Sequence, residues 1–205
     1  MSGVRYAMIG TWRDVAIDIV AWDAVGAQVE LSCAGLFARE AAGEPLAGGL
    51  RNLDIALGGK LLGLRRDHLF GAAAGQTLQI DVGATLIEAP TLLLIGLGEP
   101  EEWSAAVMAT ATCVGAREAI RCGVATAGFA PGMIDSGLSS SRVAGTEDAM
   151  LRGVTDAIDA AHALAALGLA ARPALERWSF GAGKAHLDSA AAAFRASFAG
   201  LGPDH

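Results

Sequence analysis

Apolar positions along this chain recur with two different periods, and the switching between them predicts strands and helices in turn. Residues 16–21 (AIDIVA) alternate apolar and polar side chains, the pattern of an edge strand, and residues 29–37 read as a second strand. Between residues 50 and 64 leucines recur at helical spacing, with Gly58 and Gly59 inside the pattern. Residues 78–82 and 92–97 are the next expected strands. The latter is almost wholly apolar, as befits a strand covered on both faces. Residues 101–121 open with acids, carry Arg121 at the end and are closed by Gly123, which predicts a helix. A short strand follows at 124–129. Thr146, with Glu147 and Asp148 behind it, is the expected N-cap of a helix through Leu167 that stops at Gly168. Residues 175–180 form the last expected strand and 186–198 an alanine-rich final helix.

Strands alternating with helices imply right-handed crossovers, and therefore an α/β fold of three α/β/α layers around a mixed, mostly parallel central sheet. No internal repeat or long linker interrupts the pattern, and neither Pro173 nor the glycine-rich tail from Gly200 divides it. A single domain over residues 1–205 is the expectation.

Composition narrows the function. A chain that is 53% hydrophobic and 18% charged, with 27 glycines, has the makings of a packed core and not of a disordered segment. Its net charge of -7 disfavours a nucleic-acid backbone as partner, and the one adjacent basic pair, Arg65 and Arg66, suits a solvated helix end. No apolar run approaches the length a bilayer span needs, and the start, MSGVRYAMIGTWRD, reaches charge before any signal-peptide core. A cytoplasmic protein without membrane contact is expected. The three cysteines, Cys33, Cys113 and Cys122, are too scattered for a metal knuckle and odd in number for a disulfide framework. His68, His162, His186 and His205 fall in separate elements without HxxxH or HExxH spacing. Neither a metal nor any other cofactor is expected.

Several segments carry a family likeness. Residues 27–37 (AQVELSCAGLF) run hydrophobically into a small-residue turn, Leu50, Leu53, Leu57 and Leu61 mark a helix, GAAAGQTL at 71–78 leads into a strand, and LLLIGLG at 92–98 ends one. Together they resemble the N-terminal domain of the leucyl aminopeptidases. The resemblance implies a macro-domain-like fold. In that family the domain precedes a two-metal peptidase domain and contributes to assembly. The metal-binding string of the peptidase half, asparagine-threonine-aspartate-alanine-glutamate-glycine-arginine, does not occur in this sequence. Two-metal hydrolysis needs those carboxylates, so aminopeptidase activity is not expected and no residue is assigned a catalytic role. The implied role is non-catalytic binding or assembly, through self-association or a separately encoded protein partner. Apolar stripes on the last two helices suit sheet packing, while Trp12, Trp22, Trp103 and Trp178 are candidate interface anchors.

The alternative is a macro-type module that binds, or also hydrolyses, ADP-ribose or another nucleotide derivative. Ligands of open α/β sheets sit beyond the carboxyl ends of the strands, where small residues let backbone amides approach a diphosphate. The loop after the strand at 124–129 fits that position. Its candidate ligand-binding residues are Gly132, Ser136, Gly137, Ser139, Ser140 and Ser141. No GxSxG elbow surrounds these serines. Gly181-Ala182-Gly183-Lys184 lacks P-loop spacing and reads as a turn, and Gly96-Leu97-Gly98 is followed by Glu99, Glu101 and Glu102, which repel phosphate.

Overall fold

The structure, a computed structural model, describes residues 5–43, 45–83, 86–132 and 145–202. In chain order the elements are β1 (Tyr6–Trp12), β2 (Val15–Val20), β3 (Leu31–Leu36), α1 (Ala38–Ala42), α2 (Gly48–Ala56), α3 (Lys60–Arg66), β4 (Thr77–Asp81) and β5 (Thr91–Gly96). A 3-10 turn at Pro100–Glu102 leads to α4 (Ala105–Cys122), followed by β6 (Thr126–Ala130), α5 (Thr146–Ala166), β7 (Arg177–Gly181) and α6 (Leu187–Ala199). The strands make one seven-stranded sheet in the order β1-β2-β7-β6-β3-β5-β4. Strands β2, β7, β6, β3 and β5 run parallel, and the two edges, β1 and β4, are antiparallel to their neighbours.

The mostly apolar runs of β3 and β5 divide by parity between two cores. Leu31, Cys33, Leu93 and Ile95 face one, shared with Met108 of α4, Val154 and Ile158 of α5 and Phe194 of α6. Ala34, Leu36, Leu92 and Leu94 face the other, shared with Leu50 and Leu53 of α2, Leu57 just after it and Leu61 of α3. The three-layer α/β/α arrangement with a mixed, mostly parallel sheet therefore agrees with the sequence pattern. Among the described residues no helix is long and apolar enough to cross a membrane.

Several boundaries differ from the sequence expectation. The AIDIVA strand is not an edge: β2 lies between β1 and β7. Its polar alternation misleads because Asp18 is buried, 1% exposed, and bonds to Arg177 Nη1 at 3.3 Å instead of meeting water. The real edge, β1, breaks the period of two through a register shift between Met8 and Gly10, so Ala7, Ile9 and Trp12 all pack on the same core. The helix expected over residues 50–64 is two helices, because Gly58 and Gly59 take positive φ values of 66° and 80°. The acids at 101 and 102 belong to the 3-10 turn, and α4 starts at Ala105. Gly145, not Thr146, is the residue before α5, and Thr146 is buried in its first turn. Three of the four tryptophans are core residues and not interface anchors: Trp22, Trp103 and Trp178 are buried, whereas Trp12 is partly buried and packs against the sheet core.

Two packing details have consequences for stability. Helices α4 and α5 touch closely at Gly153, where a Cβ would lie 2.3 Å from the carbonyl oxygen of Ala109 and 3.0 Å from Thr112 Cβ. Gly153→Leu forces the helices apart and is expected to cost about 3 kcal/mol, read from urea unfolding. Burial pushes the Asp18 carboxyl above its ordinary range, against the opposing pull of the Ser179 hydrogen bond and the Arg177 charge. A raised value means that the fold favours the protonated acid. That contribution is complete below the unfolded value of about 3.8 and is lost as pH rises through the folded one. Asp18→Asn is therefore expected to be more stable than the parent at pH 7, the partly exposed Arg177 contributing little as a partner. The difference shrinks toward pH 3.8; thermal melts across that range that keep it constant would refute this account.

Candidate functional site

Because the interior strands are parallel, their carboxyl ends emerge on one side, and a cavity of about 400 Å³ opens there. Ile19 of β2, Ala34 and Gly35 of β3, Ala130 of β6 and Phe180 and Gly181 of β7 form its floor. The volume is that of a small-molecule site, and the position is where ligands of open α/β sheets bind. Its walls are mainly apolar: Leu50 and Leu53 come from α2, Met150 from α5 and Phe194 from α6.

The β2–β3 connection shapes one side. No helix forms between residues 21 and 30, and the chain crosses the sheet face as coil. Trp22 fills the gap that a helix would fill. Its ring rests on β6, where a Cβ on Gly128 would stand 2.3 Å from Trp22 Cη2, so glycine is required beneath it. Three hydrogen bonds hold the crossover. Ser32 Oγ donates to the Ala24 carbonyl at 3.1 Å, and Asp23 Oδ1 accepts the amides of Val25 and Gly26, each at 3.1 Å. Asp23 and Ala24 both line the cavity.

Three helices begin at the rim, α2 with Gly49 and Leu50, α5 with Thr146 and Glu147, and α6 after Lys184, Ala185 and His186. Their positive ends are not equivalent. The first turn of α5 carries Glu147 and Asp148, and that of α6 carries Asp188, which pairs with Arg5 at 3.4 Å. The first turn of α2 holds no acid, and Ala47 before it supplies no side-chain cap. The macrodipole of α2 is thus the one of the three that no carboxylate of its own turn offsets.

Of the six ligand-binding candidates, Gly132 lines the cavity, at a positive φ of 62°. Ser136, Gly137, Ser139, Ser140 and Ser141 lie outside the described residues. The turn of Gly181, Ala182, Gly183 and Lys184 lines the same cavity, a larger part than the sequence suggested. The pair Gly48-Gly49 passed unnoticed, although two glycines just before a leucine period are a legible sign of a helix opening on a close contact. Gly96 has a structural explanation: a Cβ there would lie 2.1 Å from the Ala73 carbonyl oxygen, so the strand end is occupied by backbone. Among the described residues no group of three or more His, Cys, Asp or Glu side chains is placed to hold a metal ion.

Known structures share this architecture. A leucine aminopeptidase mutant from tomato superposes with a TM-score of 0.61 at 18% identity over 87% of this chain, which spans 35% of that protein. An Oceanobacillus iheyensis macrodomain solved with ADP matches with a TM-score of 0.63 at 10% identity, over 98% of both chains. A Trypanosoma brucei macrodomain in complex with ADP gives 0.58 at 14% identity, over 90% of this chain and 68% of its own. At such identities the likeness establishes the fold alone. No curated protein matches the sequence. The model of the cytosol aminopeptidase family, N-terminal domain, matches residues 35–169. That span is more than half of the chain and runs from the end of β3 through the glycine-opened α2, β5 and the α4–α5 pair, so the protein belongs to the cytosol aminopeptidase family by its N-terminal domain.

Proposed function

We propose that this chain is a single binding domain of the cytoplasm, not itself a peptidase, which holds a small ligand in the cavity at the strand ends. The observation that carries this reading is the cavity itself: a mainly apolar cleft of about 400 Å³ at the carboxyl ends of the parallel strands. ADP and ADP-ribose are the nucleotide ligands to try, since macrodomains of the same fold were solved with ADP. Calorimetry with ADP, ADP-ribose, pyrophosphate and small carboxylates is expected to give saturable heat for at least one of them. Gly49→Glu places a carboxylate in the lining of the cavity, where it repels an anionic ligand, and is expected to remove that heat in protein that still melts cooperatively. Heat that persists in Gly49→Glu, or silence throughout, refutes the reading.

A second role, self-association, is supported by exposed leucines at the far end of α5. Leu164, Leu167 and Leu169 are 46%, 72% and 73% exposed, a cluster unlike the isolated apolar side chains of ordinary surfaces. The partner is then a second copy of this chain. Light scattering is expected to show a mass above the monomer's 20.7 kDa that Leu167→Glu returns to the monomer value; a parent already monomeric at high concentration rules this out.

A further inference from the structure

The exposed leucines at the end of α5 have a counterpart on the opposite layer of the molecule. Leu62, Leu64 and Leu69, on and just after α3, line a surface hollow together with Gly58, Gly59 and Gly63. Leu62 and Leu69 are exposed. A Cβ added at any of the three glycines would meet no atom within 4 Å, so the space above them stands open. Lys60, Arg66 and Asp67 complete the lining. Arg66 pairs with Asp67 at 3.0 Å, and the net positive charge of the hollow is therefore that of Lys60.

The end of α5 is the inverse in shape and in sign. Leu167 and Leu169 flank Gly168, whose φ of 70° turns the chain off the helix axis, and they stand out into solvent with Leu164. No basic residue lies in the last turn of this 21-residue helix, so its negative pole is not offset there.

Like surfaces do not suit each other. Two α5 ends brought together oppose two negative poles, and two hollows brought together set Lys60 against Lys60 across open space. The unlike pair puts leucines into a space without side chains and a negative pole beside a positive charge. We propose that copies of this chain associate head to tail, with Leu164, Leu167 and Leu169 of one copy seated in the hollow beside α3 of the next. The proposal rests on the reading above that the chain associates with a second copy of itself. The α5 end belongs to the layer of one core and α3 to that of the other. Each copy that joins therefore presents a further free surface to the next, and the assembly grows into a ring or a filament.

Light scattering of the full chain and of two variants, separately and mixed, tests it. At high concentration the parent is expected to exceed twice the monomer's 20.7 kDa. Leu62→Glu spoils the hollow and keeps the α5 end, whereas Leu167→Glu does the reverse. Both positions are exposed, so both variants are expected to melt as the parent does; Leu69→Glu, also exposed, replaces Leu62→Glu if that variant melts early. Each variant alone is expected to be monomeric. Their equimolar mixture retains one intact hollow and one intact α5 end, and is expected to stop at twice 20.7 kDa. Leu62→Glu and Leu69→Glu that both keep the parent's mass overturn the proposal and leave self-association through α5 alone. A mixture that stays monomeric overturns it, as does a parent no larger than a dimer. A monomeric parent overturns the proposal and self-association together.

Discussion

Parallel pairing of the five interior strands is the constraint from which the rest of this structure follows. Parallel neighbours cannot be joined by a hairpin, so every connection must cross a sheet face and return. Crossing chains bury both faces, and burial on both faces demands the mostly apolar runs of β3 and β5, with the one polar side chain inside β3, Ser32, hydrogen-bonded to the Ala24 carbonyl. The same pairing sends all the carboxyl ends to one side, where helices begin with their positive poles toward the gap. Cavity and core are two results of one geometric requirement.

The core was legible in the sequence because hydrophobic periodicity reports burial directly. Residues 92–97 announced a central strand, and the leucines from Leu50 to Leu61 announced a packed helical face. Reading failed where a local rule was overridden by tertiary structure. Asp18 suggested a solvated face, yet it is buried in the sheet, and a bulge hid the period of β1. The glycines inside the leucine pattern were visible, but that they would end one helix and start another depends on a positive φ that spacing cannot reveal.

The site was less legible than the core, for a physical reason. Its floor is made of strand ends, its rim of helix starts and one wall of coil, and these are far apart in sequence. Gly132 follows a strand and is legible for that reason, whereas Asp23 and Glu147 carry no motif that points to a cavity. What makes them a site is the topology that gathers them. Electrostatic differences among helix ends also depend on which first turns contain acids, a property that emerges only when the ends are seen side by side.

The coil crossover beneath Trp22 has a consequence for how this domain can diverge. A side chain on Gly128 has no room while the indole is present, and a smaller residue at position 22 leaves a hollow above bare backbone. Neither position can drift alone. Exchanging the tryptophan for a small residue removes the tightest contact at position 128, leaves a Cβ there 3.1 Å from the Ser179 carbonyl oxygen, and reshapes the cleft that Trp22 lines.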